Sequence, residues 1–197
     1  MQKSAILAAR EGREAQSAPA PERGADSAEK IVLRRLHLLR NLRLLNVWSP
    51  AFPPYGRMPA RYTADGAGLS PPLRWLPDPA AESYALLVED ADGPAAHPLV
   101  HALVVNLPKA THALAEGSLQ SPRHDGTRID PAVHRVFTQA WLPPHPPAQE
   151  EHLYAFQIFA LRMEPGFAAA PGRQEFIEML LEFAVAGGCL FGIHRRS

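Results

Sequence analysis

The chain has 197 residues, with 20 lysines and arginines against 20 aspartates and glutamates, and so carries no formal net charge. One domain of ordinary size, roughly 100–150 residues, fits with an appendage, and the charge balance argues against a dedicated nucleic-acid binder. The 21 prolines disfavour a mostly helical fold, because each removes a backbone donor and breaks helix interiors, and the single cysteine, Cys189, excludes an intrachain disulfide.

Residues 1–30 mix Ala, Glu, Arg, Ser and Pro without a lasting period and hold only Ile6 and Leu7 as large aliphatics, with no aromatic residue. That is too little apolar surface to offset the entropy of ordering them. The apolar run near the start is shorter than the roughly 7–15 residues of a secretory core, and nothing later reaches the roughly 18 apolar residues of a membrane span. A cytoplasmic location is the expectation. Residues 30–45 are different: Lys30, Arg34, Arg35, Arg40 and Arg43 stand among leucines, and no acid follows until Asp65. Two readings fit this segment. One is a linker running into a first strand near Leu44–Val47. The other is a basic helix with Leu36, Leu39 and Leu42 near one face, able to make peripheral contact with an anionic membrane. Cations at apolar positions favour the linker. The organisation expected is a basic extension over 1–43, disordered or partly helical, and a folded domain over 44–197.

From Trp48 onward, short apolar runs separated by Pro, Gly, Asp and Ser clusters predict a mainly β domain. Strands are expected at Ser83–Val88, His101–Asn106, Leu153–Leu161 and Cys189–Arg195. In the third, Tyr154, Phe156, Ile158 and Ala160 alternate with Leu153, Ala155, Gln157, Phe159 and Leu161; both faces are largely apolar, which predicts a central strand covered on both sides. Phe176, Met179, Leu180 and Phe183 recur at helical spacing, predicting a helix over Arg173–Ala186 ended by Gly187 and Gly188.

No nucleophile elbow, phosphate loop, dinucleotide fingerprint or zinc-protease motif occurs, so no cofactor is implied. Cys189 lies in an apolar run beside glycines, which suits a packed residue better than an activated thiolate. What remains is a polar set at strand ends. Glu89, Asp90 and Asp92 follow the run Tyr84–Val88, and three carboxylates so close require cations, donors or solvent. His101 opens the next run, where a nearby carboxylate would fix its tautomer. A proline-rich loop delivers His152 and Tyr154, two residues apart and so on one face of a strand. Taken singly, the aspartates are ordinary turn chemistry and His101 and Tyr154 ordinary core residues.

Together, these segments resemble a known family. Ser49-Pro-Ala-Phe52, Pro59-Ala-Arg-Tyr-Thr-Ala-Asp-Gly66 and Leu69-Ser-Pro-Pro-Leu-Arg-Trp75 are similar to the opening of the bacterial phosphatidylethanolamine-binding, or Raf-kinase-inhibitor-like, proteins. Asp90-Ala-Asp-Gly-Pro94 resembles that family's Asp-Pro-Asp-x-Pro motif, His152-Leu-Tyr154 its His-Arg-Tyr, and Gly188–Arg195 its final strand. The resemblance implies a large antiparallel sheet flanked by a smaller one, with a few C-terminal helices. It also implies a non-enzymatic pocket at the sheet's end for a small anion of the phosphate or phospholipid-headgroup type. The wall implied is Asp90, Asp92, Pro94, His101, Pro144, His152 and Tyr154, with no metal. A protein partner such as a kinase or protease, bound through the surface, and a homodimer are the other associations the family suggests. A hydrolase using His101 as base and Asp90 as its orienting group is a further alternative. Leu142 and Pro143 replace glycines of the family's loop, so a backbone donor to the anion is expected to be missing. Leu153 replaces the motif arginine, which leaves one aspartate needing another donor. Leu99 stands where many members carry tryptophan.

Overall fold

The computed structural model describes residues 29–95, 97–120, 137–139, 141–167 and 171–197, so the disorder expected of the first 28 residues lies outside the described residues. In chain order the elements are α1 (Val32–Arg40), β1 (Arg43–Leu44), β2 (Val47–Trp48), β3 (Gly56–Arg57), a 3₁₀ turn (Ala60–Tyr62), β4 (Leu73–Trp75), β5 (Ser83–Asp90), β6 (Leu99–Pro108), β7 (Ala113–Leu114), β8 (Phe137–Gln139), β9 (Glu151–Leu161), α2 (Arg173–Phe183) and β10 (Ala184–Arg195). The large sheet runs β1-β10-β9-β5-β6-β8, with β3 also paired to β10, and a smaller antiparallel sheet runs β2-β4-β7.

The four long strands are central and antiparallel. Every residue of β5 is buried, and in β9 only Glu151 is exposed, as expected for strands covered on both faces. One face packs Leu86, Val88, Tyr154, Phe156 and Ile158 against Val47, Leu73 and Trp75 of the small sheet. The other packs Ala85, Leu87, Ala155, Phe159 and Leu161 against Val32, Leu33 and Leu36 of α1 and Phe176, Met179 and Leu180 of α2. Each large side chain so buried contributes about 1.5–3 kcal/mol.

Several expectations are corrected. The large sheet is mixed rather than antiparallel throughout, since β1 and β3 both pair parallel to β10. Residues 30–43 are not a linker: α1 lies on the sheet, with Ile31, Val32, Leu33, Leu36 and Leu42 buried and Leu38 and Leu39 exposed. Its first N–H groups are held by side chains of the sheet, Val32 N donating to Glu89 Oε2 at 3.1 Å and Leu33 N to Gln157 Oε1 at 2.8 Å. Those partners lie far along the chain, so the local pattern could not announce them. The leucine face expected at 36, 39 and 42 is therefore split, with Leu39 in solvent.

The C-terminal helix ends at Phe183 rather than Ala186, and Ala184 is already extended (φ −68°, ψ 133°). Gly187 and Gly188 are strand residues, not a cap. Leu45 N donates to Gly187 O at 2.9 Å, and a Cβ on Gly188 would sit 1.9 Å from Leu45 O. Glycine is required there because the β1–β2 connection crosses β10 at backbone contact.

Candidate functional site

β5 ends at Asp90 and β9 begins at Glu151, and Asp90 pairs with Tyr154 in the antiparallel register. Alternation along the strands turns Asp90, His152 and Tyr154 to the small-sheet face and Glu89 and Leu153 to the helix face. His101 would break this pattern, because Leu103 and Val105 of the same strand face the helices. The register between β5 and β6 shifts from Val88↔Ala102 to Glu89↔Val100, leaving His101 as the extra residue of a β-bulge. Bulges re-aim side chains. Here the bulge brings the His101 ring edge-on to Tyr154, with centroids 5.1 Å apart at 89°, and within 6.5 Å of Trp141.

The loop preceding β9 grips His101 at two points. His101 Nδ1 lies 2.7 Å from Leu142 O, and Leu142 N donates to His101 O at 2.7 Å. A carbonyl can only accept, so Nδ1 carries the proton and Nε2 of the neutral ring presents a lone pair. Burial holds the His101 pKa below its ordinary value, despite the bond to Leu142 and the charge of Asp90. Nε2 is buried with no hydrogen-bond partner among the described residues, as are Tyr154 OH and Trp141 Nε1. Burial and the charges of Asp90 and Asp92 push the Tyr154 phenol well above its ordinary value, so it is a neutral hydroxyl.

His152 is the opposite case. Its Nδ1 lies 2.7 Å from Asp90 Oδ2 and its Nε2 3.2 Å from Glu150 Oε2. Burial alone would lower its pKa, but the two carboxylate hydrogen bonds and the charges of Asp90 and Asp92 outweigh it and raise the value. Asp90 also accepts from Asp92 N at 3.0 Å, closing the turn after β5.

The remaining expected residues differ in position. Asp92 accepts from Leu153 N at 2.8 Å: the carboxylate left without the motif arginine takes the backbone N–H of the residue that replaced it. Pro144 is buried, and its carbonyl accepts from Ala64 N at 2.9 Å, so it anchors the wall formed by residues 60–66. Pro94 is exposed. Leu99 and Leu142 are exposed as well, and the Leu142 N–H is spent on His101 rather than facing the cleft. Nothing in the residue pattern singles out Glu150, the Leu142 carbonyl, Trp141 or His194. His194 stands opposite His152 in the β9–β10 register and lies 3.0 Å from Asp65 Oδ2. Glu150 adjoins the His152 motif and His194 lies in the final strand, but only the β9–β10 register and the approach of the 141–142 loop bring these groups to one place.

The hydrolase pairing is not formed, since Asp90 hydrogen-bonds His152 and the group orienting His101 is a carbonyl. Desolvation also pushes the Cys189 thiol well above its ordinary pKa, which disfavours the thiolate form. Among the described residues no group of three or more His, Cys, Asp or Glu side chains is placed to hold a metal, and no helix is long and apolar enough to cross a membrane. Two clefts of about 440 and 340 Å³ flank α1, and neither is lined by His101, His152 or Tyr154.

Comparison with known proteins agrees with this architecture. The sequence model of the family described as "Phosphatidylethanolamine-binding protein" matches residues 48–190. A UPF0098 protein of Methanothermobacter thermautotrophicus is 29% identical over 154 residues, covering 78% of this chain and all of its own. A UPF0098 protein of Chlamydia pneumoniae is 35% identical over 126 residues, 59% of this chain and 76% of its own. Among solved structures, a putative phosphatidylethanolamine-binding protein homologue from Chlamydia trachomatis superposes with a TM-score of 0.65 at 26% identity, covering 79% of this chain and 99% of that one. Escherichia coli YbcL gives the same TM-score at 20% identity, over 78% of this chain and 99% of that one.

Proposed function

The chain belongs to the phosphatidylethanolamine-binding protein family, and from that membership and the geometry of the strand ends we propose that it is a non-catalytic receptor for an oxyanion of the phosphate type. The bound group takes its hydrogen bonds from His101, His152 and Tyr154. Asp90 and Asp92 position this set rather than touching the anion, and the phosphate is carried free or on a small ligand or lipid headgroup. The observation that carries this reading is a pair of buried polar atoms without a partner among the described residues, His101 Nε2 and Tyr154 OH, on rings 5.1 Å apart. A buried polar group without a partner costs about 1–3 kcal/mol, and a ligand oxygen seated between the two rings relieves that cost.

The protonation states set the chemistry. Neutral His101 offers an acceptor at Nε2, so a fully ionised oxyanion binds there only as the ring takes up a proton; a protonated phosphate oxygen can donate to it instead. Either route makes binding tighter as pH falls. His152, already held charged by its carboxylates, supplies the electrostatic attraction, and a charge-assisted hydrogen bond is roughly twice as strong as a neutral one. With no activated nucleophile beside these groups among the described residues, the reading is of binding rather than turnover.

Titrating the protein with inorganic phosphate while following the ring resonances of His101 and His152 tests this reading. Both imidazoles are expected to shift, with the His101 pKa rising on saturation. Unmoved resonances at millimolar phosphate overturn it.

A further inference from the structure

Glu150 stands where the proposed anion must go. Its carboxylate is 3.2 Å from Nε2 of His152, whose Nδ1 is already committed to Asp90 at 2.7 Å. No donor of His152 is left over. The two carboxylates are not alike: the Asp90 side chain is 7% exposed and holds the inner nitrogen, whereas that of Glu150 is 59% exposed over a ring that is 6% exposed. The Glu150 backbone is pinned, its N–H donating to Pro147 O at 3.1 Å and its carbonyl accepting from Arg196 N at 3.2 Å. Only the side chain is free to turn away into water.

Resting on the phosphate-receptor reading, we infer that Glu150 is a built-in competitor for the anion: its carboxylate caps His152 Nε2 in the unliganded protein and must swing out before a phosphate oxygen can take that nitrogen. A site competent for only a fraction of the time shows an apparent affinity reduced by that fraction. A charge-assisted bond from a half-exposed carboxylate to a buried imidazolium leaves the uncapped state at about one part in ten, so Glu150 weakens anion binding about tenfold. Repulsion between the carboxylate at the mouth and the arriving anion acts in the same direction and is screened by salt. The neighbouring Glu151 has no such role; it faces Arg57 at 3.8 Å and does not touch His152.

The test compares inorganic phosphate binding to the wild-type protein, Glu150→Gln and Glu151→Gln at low ionic strength and about pH 6, below the ordinary histidine pKa. It is read by calorimetry and by the His152 ring resonances. The expected result is an approximately tenfold lower Kd for Glu150→Gln, with Glu151→Gln within about twofold of wild type. Equal gains in the two variants assign the effect to net charge and overturn the competitor, as does no gain in Glu150→Gln while the wild type binds. Binding by Glu150→Gln alone supports the competitor in its strongest form. If neither protein binds phosphate, the phosphate-receptor reading fails and the competitor fails with it.

Discussion

Glu89 and Asp90 are consecutive buried carboxylates on one strand, and they have opposite fates. Glu89 faces the helices and is saturated: Oε1 accepts from Arg173 Nε and Nη2 at 2.9 and 2.7 Å, and Oε2 from Gln157 Nε2 and Val32 N at 2.8 and 3.1 Å. Its donors come from α1, α2 and β9, so one side chain ties both helices to the sheet. Asp90 faces the small sheet and holds His152, beside which His101 Nε2 and Tyr154 OH have no partner among the described residues. Where the polar groups close on one another the structure is architecture. The two groups left open on one wall are what the proposed anion receptor rests on.

The largest effect is expected at Glu89. Glu89→Ala strands the Arg173 guanidinium and the α1 amide in the interior, and chemical denaturation should show a loss of about 3–5 kcal/mol; a loss under 1 kcal/mol refutes the buried tie. Asp90→Asn removes the charge behind His152 and should cost about 1.5–3 kcal/mol while lowering the His152 pKa, read by NMR titration. An unchanged pKa would show that Glu150 alone holds that ring charged.

A smaller effect lies in the pH dependence. His152 is raised above 6.5, so its contribution to stability is present below that value and is lost as pH rises through the folded pKa. His101 is lowered, so its contribution is present above 6.5 and is lost as pH falls through the folded pKa, because the unfolded ring takes the proton first. His152→Ala should flatten the alkaline limb and His101→Ala the acidic limb of stability against pH. Titration midpoints in the reverse order would remove the basis of both statements. The smallest expected change in stability is that of Tyr154→Phe. Deleting a buried hydroxyl that has no partner among the described residues should leave stability within about 0.5 kcal/mol of wild type while weakening phosphate binding several-fold. Destabilisation of 2 kcal/mol or more would reveal an internal partner for that hydroxyl.

Much of the site was legible in the residues. Alternation placed His152 and Tyr154 on one face, and the motif order brought Asp90 and His101 to the same sheet end. The legible part stops where contacts become non-local. The basic segment 30–43 reads as linker because the groups that cap α1, Glu89 and Gln157, are 57 and 124 residues away. The partner of His101 was misassigned for the same reason: Asp90 is near in sequence, but the Leu142 carbonyl is near in space. Gly187 and Gly188 look like a helix stop in a one-dimensional pattern and are explained only by the chain that crosses above them.

Local pattern alone marked a mainly β domain, the central position of β9, and the identity of the polar side chains gathered at the strand ends, because side-chain period and apolar content are local properties; that β5 is central too came from the strand pairing. The tertiary structure decided what those side chains can do. The bulge that turns His101 toward Tyr154, the carbonyl that chooses its tautomer, and the carboxylate that covers His152 all depend on strand register and loop approach, which are settled only when distant segments pack.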